Sequence, residues 1–245
     1  MSDKQRLDQA LVERGLAPTR SKAQALILAG VVFSGEQRLD KPGATLASDA
    51  PLEIRGKDHP YVSRGGVKLA AALDRFKIDP TGLVALDVGA STGGFTDVLL
   101  RRGAQRVYAV DVGFGQLDWT LRNDPRVVVL ERVNARNLAR AQVPEPPGLI
   151  VCDASFIGLE TVLPAALELA APGAALVALI KPQFEVGPGR VGKGGVVRDA
   201  ALHKEVCDRI VAWLENRGWR VLGVIESPLK GADGNVEFLV AARRA

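Results

Sequence analysis

Four ionisable residues stand at or near the ends of apolar segments, where a side chain can meet a ligand. Lys181 closes "ALVALIK", and a proline follows at once. Asp153 closes "GLIVCD", and Glu237 opens "VEFLV". Lys68 lies in "SRGGVKLAAAL" beside Val67, Leu69, Ala70 and Leu73, so it points either to a site or to water. Taken singly, each has an ordinary explanation. A lysine at a strand end is a solvated cap, an acid there is a loop residue, and an edge-strand charge deters pairing with another chain. Together, two lysines and two acids form a charge-alternating cluster. Burial and a neighbouring cation can lower a lysine pKa toward neutrality, where it can accept a proton. Lys181 is the expected base, its pKa depressed by Lys68 and by desolvation, and Asp153 is expected to hold it in place.

The loop "LDVGASTGGFTD" follows a strand and opens a helix. Gly89 allows a tight turn and a close approach of a ligand to the backbone. Asp111 ends the next strand, where an acid accepts hydrogen bonds from ribose hydroxyls. The glycine pattern is neither the dinucleotide fingerprint nor a P-loop. A nucleoside cofactor therefore fits, with S-adenosylmethionine the main candidate. The expected contacts are Asp87, Gly89, Ala90, Ser91, Thr92, Gly93, Gly94, Phe95, Asp111 and Asp153, with Asn134 of "ERVNARNL" at the adenine edge. Phe156, just after Asp153, either stacks on an extruded base or belongs to the core.

The elements that must position these residues follow from the pattern. From about residue 83, apolar runs alternate with helical segments: "LVALDVG", "RVYAVDV", "VVVLE", "GLIVCDA" and "ALVALIK" read as strands. Runs without strict alternation suit a parallel sheet covered on both faces, and the α/β succession implies a doubly wound, Rossmann-like sheet. In such a sheet ligands sit beyond the carboxyl ends of the strands. "WRVLGVIESP" and "VEFLVAARR" are joined by a hairpin-length segment, so the last strand is expected to run antiparallel. That puts Glu237 on the same edge as Asp153 and Lys181. "LETVLPAALELA" and "DAALHKEVCDRIVAWLENRG" read as helices.

The N-terminal part has a different pattern, so two domains are expected, 1–58 and 59–245. "DKQRLDQALVERG" reads as one helix, and "APTRSKAQALILAG" as a second, with Ser21 and Gln24 as a capping box. Short strands follow in "VVFSG", "QRLDKPGATL" and "PLEIR". Residues 1–60 carry nine Lys+Arg and eight Asp+Glu, so any contact with a polyanion must rest on clustered cations rather than on net charge. Arg6 and Arg14 on the first helix, Arg20 and Lys22 at the second, and Arg64 in the linker "GKDHPYVSRGG" are the candidates. After Lys181 comes "PQFEVGPGRVGKGGVVRD", with Arg190 and Lys193 among glycines. It is expected not to pack a core, and to be either a lid that closes on a bound polyanion, the favoured reading, or an idle disordered segment.

The whole chain has 245 residues, formal charge +4 and 47% hydrophobic residues, enough for a sizeable core. The charge permits an anionic partner without demanding one. Cys152 and Cys207 have no disulfide-scaffold or metal-ligand spacing, so no metal is expected, and Cys152 reads as a small core residue. The N-terminus has no apolar signal segment, and the most apolar window is broken by Glu168, Pro172 and Gly173. A cytoplasmic protein without membrane contact is expected; its oligomeric state stays open, with a monomer favoured over an oligomer.

The set Lys68, Asp153, Lys181 and Glu237 resembles the K-D-K-E tetrad of FtsJ-like ribose 2′-O-methyltransferases. The segments "SRGGVKL", "LDVGASTGGFTD", "VDVGFGQLDW", "CDASFI" and "KPQFEVG" are similar to those of the TlyA family. There, such a domain follows a fold like that of ribosomal protein S-four, small and α+β, which contacts structured RNA. The resemblance covers nearly the whole chain. It implies an S-adenosylmethionine-dependent methyltransferase acting on ribosomal RNA or ribosomal subunits, with cytidine ribose as target in some members. Glu237 and Lys68 would then orient the ribose. Two other classes compete: an RNA-binding protein without catalysis, which the intact tetrad opposes, and a membrane-active lysin, since such proteins often carry a haemolysin label. No basic amphipathic helix supports direct lysis.

Overall fold

The computed structural model describes residues 4–55, 59–187, 189–192 and 194–245, and the chain divides into two compact units between Pro60 and Tyr61. The first unit runs β1 (Lys4–Arg6), α1 (Leu7–Glu13), α2 (Arg20–Leu28), β2 (Val32–Ser34), β3 (Gln37–Arg38), β4 (Thr45–Ala47) and β5 (Glu53–Ile54). β1 pairs antiparallel with β4, and β2 lies between β3 and β5. Leu7, Leu11, Ala17, Ala23, Ile27 and Val32 form its core.

Two local expectations are corrected here. The first helix does not reach back to Lys4, because residues 4–6 pair with β4, with Gln5 opposite Leu46. The backbone N–H groups of Leu7 and Asp8, orphaned at a helix start, donate to Ala44 and Pro42 carbonyls at 2.8 and 3.2 Å. The second helix is capped by Thr19, whose Oγ1 accepts from Lys22 N at 3.2 Å, rather than by Ser21. Gln24 instead donates to Asp8 Oδ2 at 2.9 Å.

Asp8 is fully buried, and Arg6 and Arg20 reach it at 3.0 and 2.8 Å. The Arg6 hydrogen bond is the main reason its carboxyl is held well below the usual carboxylate range. A depressed folded pKa contributes stability that is present above the unfolded value, near ~3.9, and is lost as the pH falls through the folded value. Asp8→Asn is therefore expected to lower the melting temperature of this unit at pH 7 by roughly 5 °C or more, with the gap to wild type closing in strong acid. Calorimetric melts across that range check it.

The second unit runs α3 (Gly65–Phe76), β6 (Val84–Val88), α4 (Gly94–Arg101), β7 (Arg106–Asp111), α5 (Trp119–Arg122), β8 (Val127–Glu131), β9 (Leu149–Cys152), α6 (Leu159–Val162), α7 (Pro164–Leu169), β10 (Ala175–Ile180), α8 (Pro182–Glu185), α9 (Ala200–Glu215), β11 (Trp219–Glu226) and β12 (Phe238–Arg244). Its seven strands are ordered β11-β12-β10-β9-β6-β7-β8. β6 to β10 are parallel, while β12 is antiparallel to both β10 and β11. This is the expected doubly wound sheet with an antiparallel last strand. Alternating residues feed two cores. On β10, Leu176, Ala178 and Ile180 join helices α6, α7 and α9, while Ala175, Val177 and Leu179 join α3 and α4. The order of connection reverses between β6 and β9, which opens a crevice at their carboxyl ends.

"LETVLPAALELA" forms two short helices rather than one, because Pro164 cannot donate within a helix and starts α7 instead. The segment after Lys181 differs from expectation more sharply. It begins with α8, and Val186, Val196 and Val197 are buried. Asn235 pins the segment by accepting from Val197 N at 3.1 Å and donating to Gly195 O at 3.0 Å. Valines spaced among the glycines thus give it a share of the core. Arg190 pairs with Glu205 of α9 at 2.6 Å, and Lys193 lies outside the described residues. Among the described residues no helix is long and apolar enough to cross a membrane.

Candidate functional site

Strand register assembles the site. Cys152 lies opposite both Val88 and Ala178, so Gly89 and Asp153 leave the sheet side by side, with Asp153 N donating to Val88 O at 3.0 Å. Ile180 lies opposite Phe238, so Lys181 and Glu237 emerge together from an antiparallel pair. Glu237 precedes β12 rather than opening it, and is 3% exposed. Lys68, in the first turns of α3, points into the site and not to water. Gly94 explains how α3 comes so close. A Cβ there would lie 3.0 Å from Gly66 N and closer still to Ser63 Oγ, so only glycine lets the two helix starts meet.

All four residues line one cleft. They form two ion pairs, Lys181 Nζ to Asp153 Oδ1 at 2.7 Å and Lys68 Nζ to Glu237 Oε2 at 2.6 Å. Lys181 directs its hydrogen bonds to Ser155 Oγ at 2.8 Å and to the Asp153 carbonyl at 3.4 Å. Its contact with Asp153 Oδ1 is therefore one of charge rather than a directed hydrogen bond. The nearest charge to Lys181 Nζ is thus a carboxylate, and Lys68 is taken up by Glu237. Gln183 donates weakly to Glu237 Oε1 at 3.5 Å.

A second cleft adjoins the first, sharing Gly89, Ser91, Asp153, Ser155 and Phe156. Much of its wall is apolar, including Val88, Val110, Val133 and Ile157, and Asp111, Gln116 and Asn134 add polar points beyond the shared residues. A flat base against apolar walls and a sugar beside a carboxylate match that set. Gly89 has φ +84°, and a Cβ on it would lie 2.9 Å from Ala154 Cα. The loop can cross the end of β9 only because this residue is glycine. Asp111 accepts from Ser91 N at 2.8 Å and Gly113 N at 2.7 Å, so it also holds the loop shut. Asn134 Oδ1 accepts from Arg136 N at 3.1 Å, which leaves its Nδ2 to meet a ligand.

The remaining expected residues divide. Ala90, Ser91, Thr92, Gly94 and Phe95 line the first cleft. Gly93 does not; it turns with φ +94° beneath Leu117 and Leu121, whose side chains a Cβ would strike. Asp87 lines neither cleft. It is fully buried under the loop, accepting from Thr96 Oγ1 at 2.7 Å, while its Oδ1 has no partner among the described residues. Phe156 is not core. It is 89% exposed over both clefts with φ +64°, its ring 5.0 Å from that of Phe184. Arg64 lines the first cleft. Arg14 donates to the carbonyls of Ser48 and Ala50, Arg6 and Arg20 are tied to Asp8, and Lys22 is exposed. Four residues were missed. Ser155 and Gln183 sit inside the quoted "CDASFI" and "KPQFEVG". Asp97 ties the start of this unit to α4 by accepting from Val62 N at 2.9 Å and Arg101 Nε at 2.7 Å. Glu185 joins two site loops.

Burial, with the nearby carboxylates of Asp153 and Asp111, pushes the Asp87 carboxyl up to about 7, against the Thr96 hydroxyl. A raised folded pKa favours folding fully below the unfolded value near ~3.9, and that contribution is lost as pH rises through about 7. Asp87→Asn keeps the shape and an acceptor for Thr96. It is expected to flatten the fall in stability between about pH 4 and pH 7, a few kcal/mol in wild type, as read from urea midpoints without ligand.

The doubly wound sheet, with a largely apolar cleft beside two Lys–carboxylate pairs, is that of a methyltransferase. The FtsJ-like methyltransferase family matches residues 61–244, and the S4 domain matches residues 5–50. The chain is 48% identical to a Mycobacterium tuberculosis protein named 16S/23S rRNA (cytidine-2′-O)-methyltransferase TlyA, over 99% of this chain and 91% of that one. It is 40% identical, with a TM-score of 0.78, to a structure from Streptococcus thermophilus provisionally labelled a hemolysin, over 100% of this chain and 90% of that one. It is also 40% identical to Hemolysin A of Brachyspira hyodysenteriae, over 96% of this chain and 98% of that one. The chain belongs to the TlyA family of FtsJ-like methyltransferases carrying an S4 domain.

Proposed function

We propose that this chain transfers a methyl group from S-adenosylmethionine to the 2′-hydroxyl of a cytidine in ribosomal RNA. The observation that carries the reading is the meeting of two ion pairs, Lys181–Asp153 and Lys68–Glu237, in one cleft that adjoins a largely apolar one holding Asp111 and Asn134. The ribosomal RNA activity named for the mycobacterial relative supports the substrate. Val88, Val110, Asp111, Val133 and Asn134 would hold the adenosine, and the Gly89 loop its methionine end. When bound, S-adenosylmethionine supplies a methyl group already activated on a sulfonium sulfur. The chain must orient a hydroxyl toward it, exclude water and remove one proton. Lys181 Nζ, as the neutral amine, would take the proton from the 2′-hydroxyl oxygen that receives the methyl, while the methyl's bond to sulfur breaks and the sulfur leaves as a neutral thioether. Asp153 and Ser155 hold Lys181, and Glu237 and Lys68 orient the ribose. Phe156, exposed beside the cleft, offers a face on which the extruded base stacks. The first unit docks on folded rRNA through its surface cations, including the outer edge of Arg6 on β1 and Arg20 and Lys22 on α2.

The test is labelling of ribosomal subunits from a strain lacking the gene, using purified protein and methyl-labelled S-adenosylmethionine. The expected result is label on a cytidine 2′-oxygen. Absence of label in both subunits, with the cofactor bound, would overturn the reading. The purified protein is expected not to release the contents of lipid vesicles, whatever label its relatives carry.

A further inference from the structure

Two loops carry the Lys181–Asp153 pair. One leaves β9 with Asp153, Ser155 and Phe156 and enters α6; the other leaves β10 with Lys181, Gln183 and Phe184 and forms α8. Helix α6 starts at Gly158, which has no side chain to cap it. The missing acceptor comes from the other loop: Glu185 Oε1, 9% exposed as a residue, accepts from Leu159 N at 2.8 Å. Gly158 makes the approach possible, since a Cβ there would lie 3.1 Å from Glu185 Oε2. Arg209 of α9 completes the join, donating to Glu185 Oε2 and to the Glu185 carbonyl at 2.9 Å each and to Glu160 of α6 at 2.8 Å. Burial pushes the Glu185 carboxyl up despite these donors.

We infer that Glu185 is a positioning residue: by capping α6 from the neighbouring loop it fixes the distance between Lys181 and the Asp153–Ser155 turn. It touches no reacting atom. A strand-end loop free to move by about 1 Å costs an oriented reaction on the order of 10²-fold. The inference rests on the methyl-transfer reading for its kinetic arm and on geometry alone for a second arm.

The experiment compares Glu185→Met, which removes the acceptor, with Glu185→Gln, which keeps one oxygen for Leu159 N–H. Methyl transfer to ribosomal subunits is measured per folded molecule, together with S-adenosylmethionine affinity and amide hydrogen exchange at Leu159. Glu185→Met is expected to lower kcat about 10²-fold, with KM and cofactor Kd within about threefold, and to lose protection at Leu159. Glu185→Gln is expected to restore both protection and most of kcat. A purely structural role would lower the melting temperature and leave kcat per folded molecule alone. Unchanged kcat in Glu185→Met, or equal losses in the two variants, would overturn the inference. If Glu185→Met does not fold, Glu185→Asp, one methylene short of Leu159, takes its place with the same outcomes. If wild-type protein itself methylates no subunit, the functional reading fails, and Leu159 exchange alone decides: protection unchanged in Glu185→Met then overturns the inference.

Discussion

Lys181→Ala is expected to abolish methyl transfer, by 10³-fold or more in kcat, while cofactor affinity stays within about tenfold. The side chain is 9% exposed and lies between Asp153 Oδ1 and Ser155 Oγ, at the end of a strand whose six residues are all buried. Removing it takes away the proton acceptor but leaves the glycine loop and the adenosine walls intact. Lys181→Arg separates proton acceptance from charge. A guanidinium keeps a cation beside Asp153 but stays protonated throughout the working range. If Lys181 acts as base, arginine fails as badly as alanine. If it acts only as a fixed positive charge, arginine restores activity. Single-turnover rates with saturating cofactor distinguish the two, and near-wild-type rates in either variant would sink the base assignment.

Lys68→Met is expected to destabilise the second unit by about 3–5 kcal/mol as well as lower activity. Glu237 is the reason. Its side chain is 3% exposed, and Lys68 is its one ion-pair partner among the described residues. Without that ammonium a carboxylate is stranded, and Gln183 at 3.5 Å offers only a weak donor. The double variant Lys68→Met/Glu237→Gln removes the stranded charge and is expected to recover most of the stability with none of the activity. The cycle of two single variants and one double variant, followed by urea unfolding, measures the coupling directly. Additive losses would mean that the two residues act apart and that their contact adds little.

The tetrad could be placed from sequence because the sheet edge is a simple address. An apolar run that stops at an ionisable residue marks where a strand leaves the core, and three such stops fell on one edge once the last strand was reversed. Lys68 and Phe156 were undecided, since neither periodicity nor spacing tells which way a helix turns or whether an aromatic ring is covered. Residues whose partners are remote in the chain were illegible for a physical reason. Glu185 caps a helix that begins 26 positions earlier, so no capping pattern near Gly158 could point to it. Lys4–Arg6 became a strand through pairing with β4, and local helix preference lost to that pairing. Asp87 looked like a ligand contact because it adjoins the glycine loop, yet strand alternation turns it inward to Thr96. In the glycine-rich stretch after Lys181, glycines mask the signal of three valines that the core takes up, Val186, Val196 and Val197.

β12 is the last strand in the sequence but lies in the interior of the sheet, between β10 and β11, and Leu239, Val240, Ala241 and Ala242 are wholly buried. A chain synthesised from its N-terminus therefore makes the parallel strands first and leaves the flank of β10 open. The same insertion that closes the flank delivers Glu237 to Lys68. Formation of the buried Lys68–Glu237 pair and completion of the sheet are thus one event. An unfinished or C-terminally clipped chain lacks the strand that seals the flank of β10 and leaves Lys68 without its carboxylate partner, so it exposes both an unpaired strand edge and an unpaired buried charge.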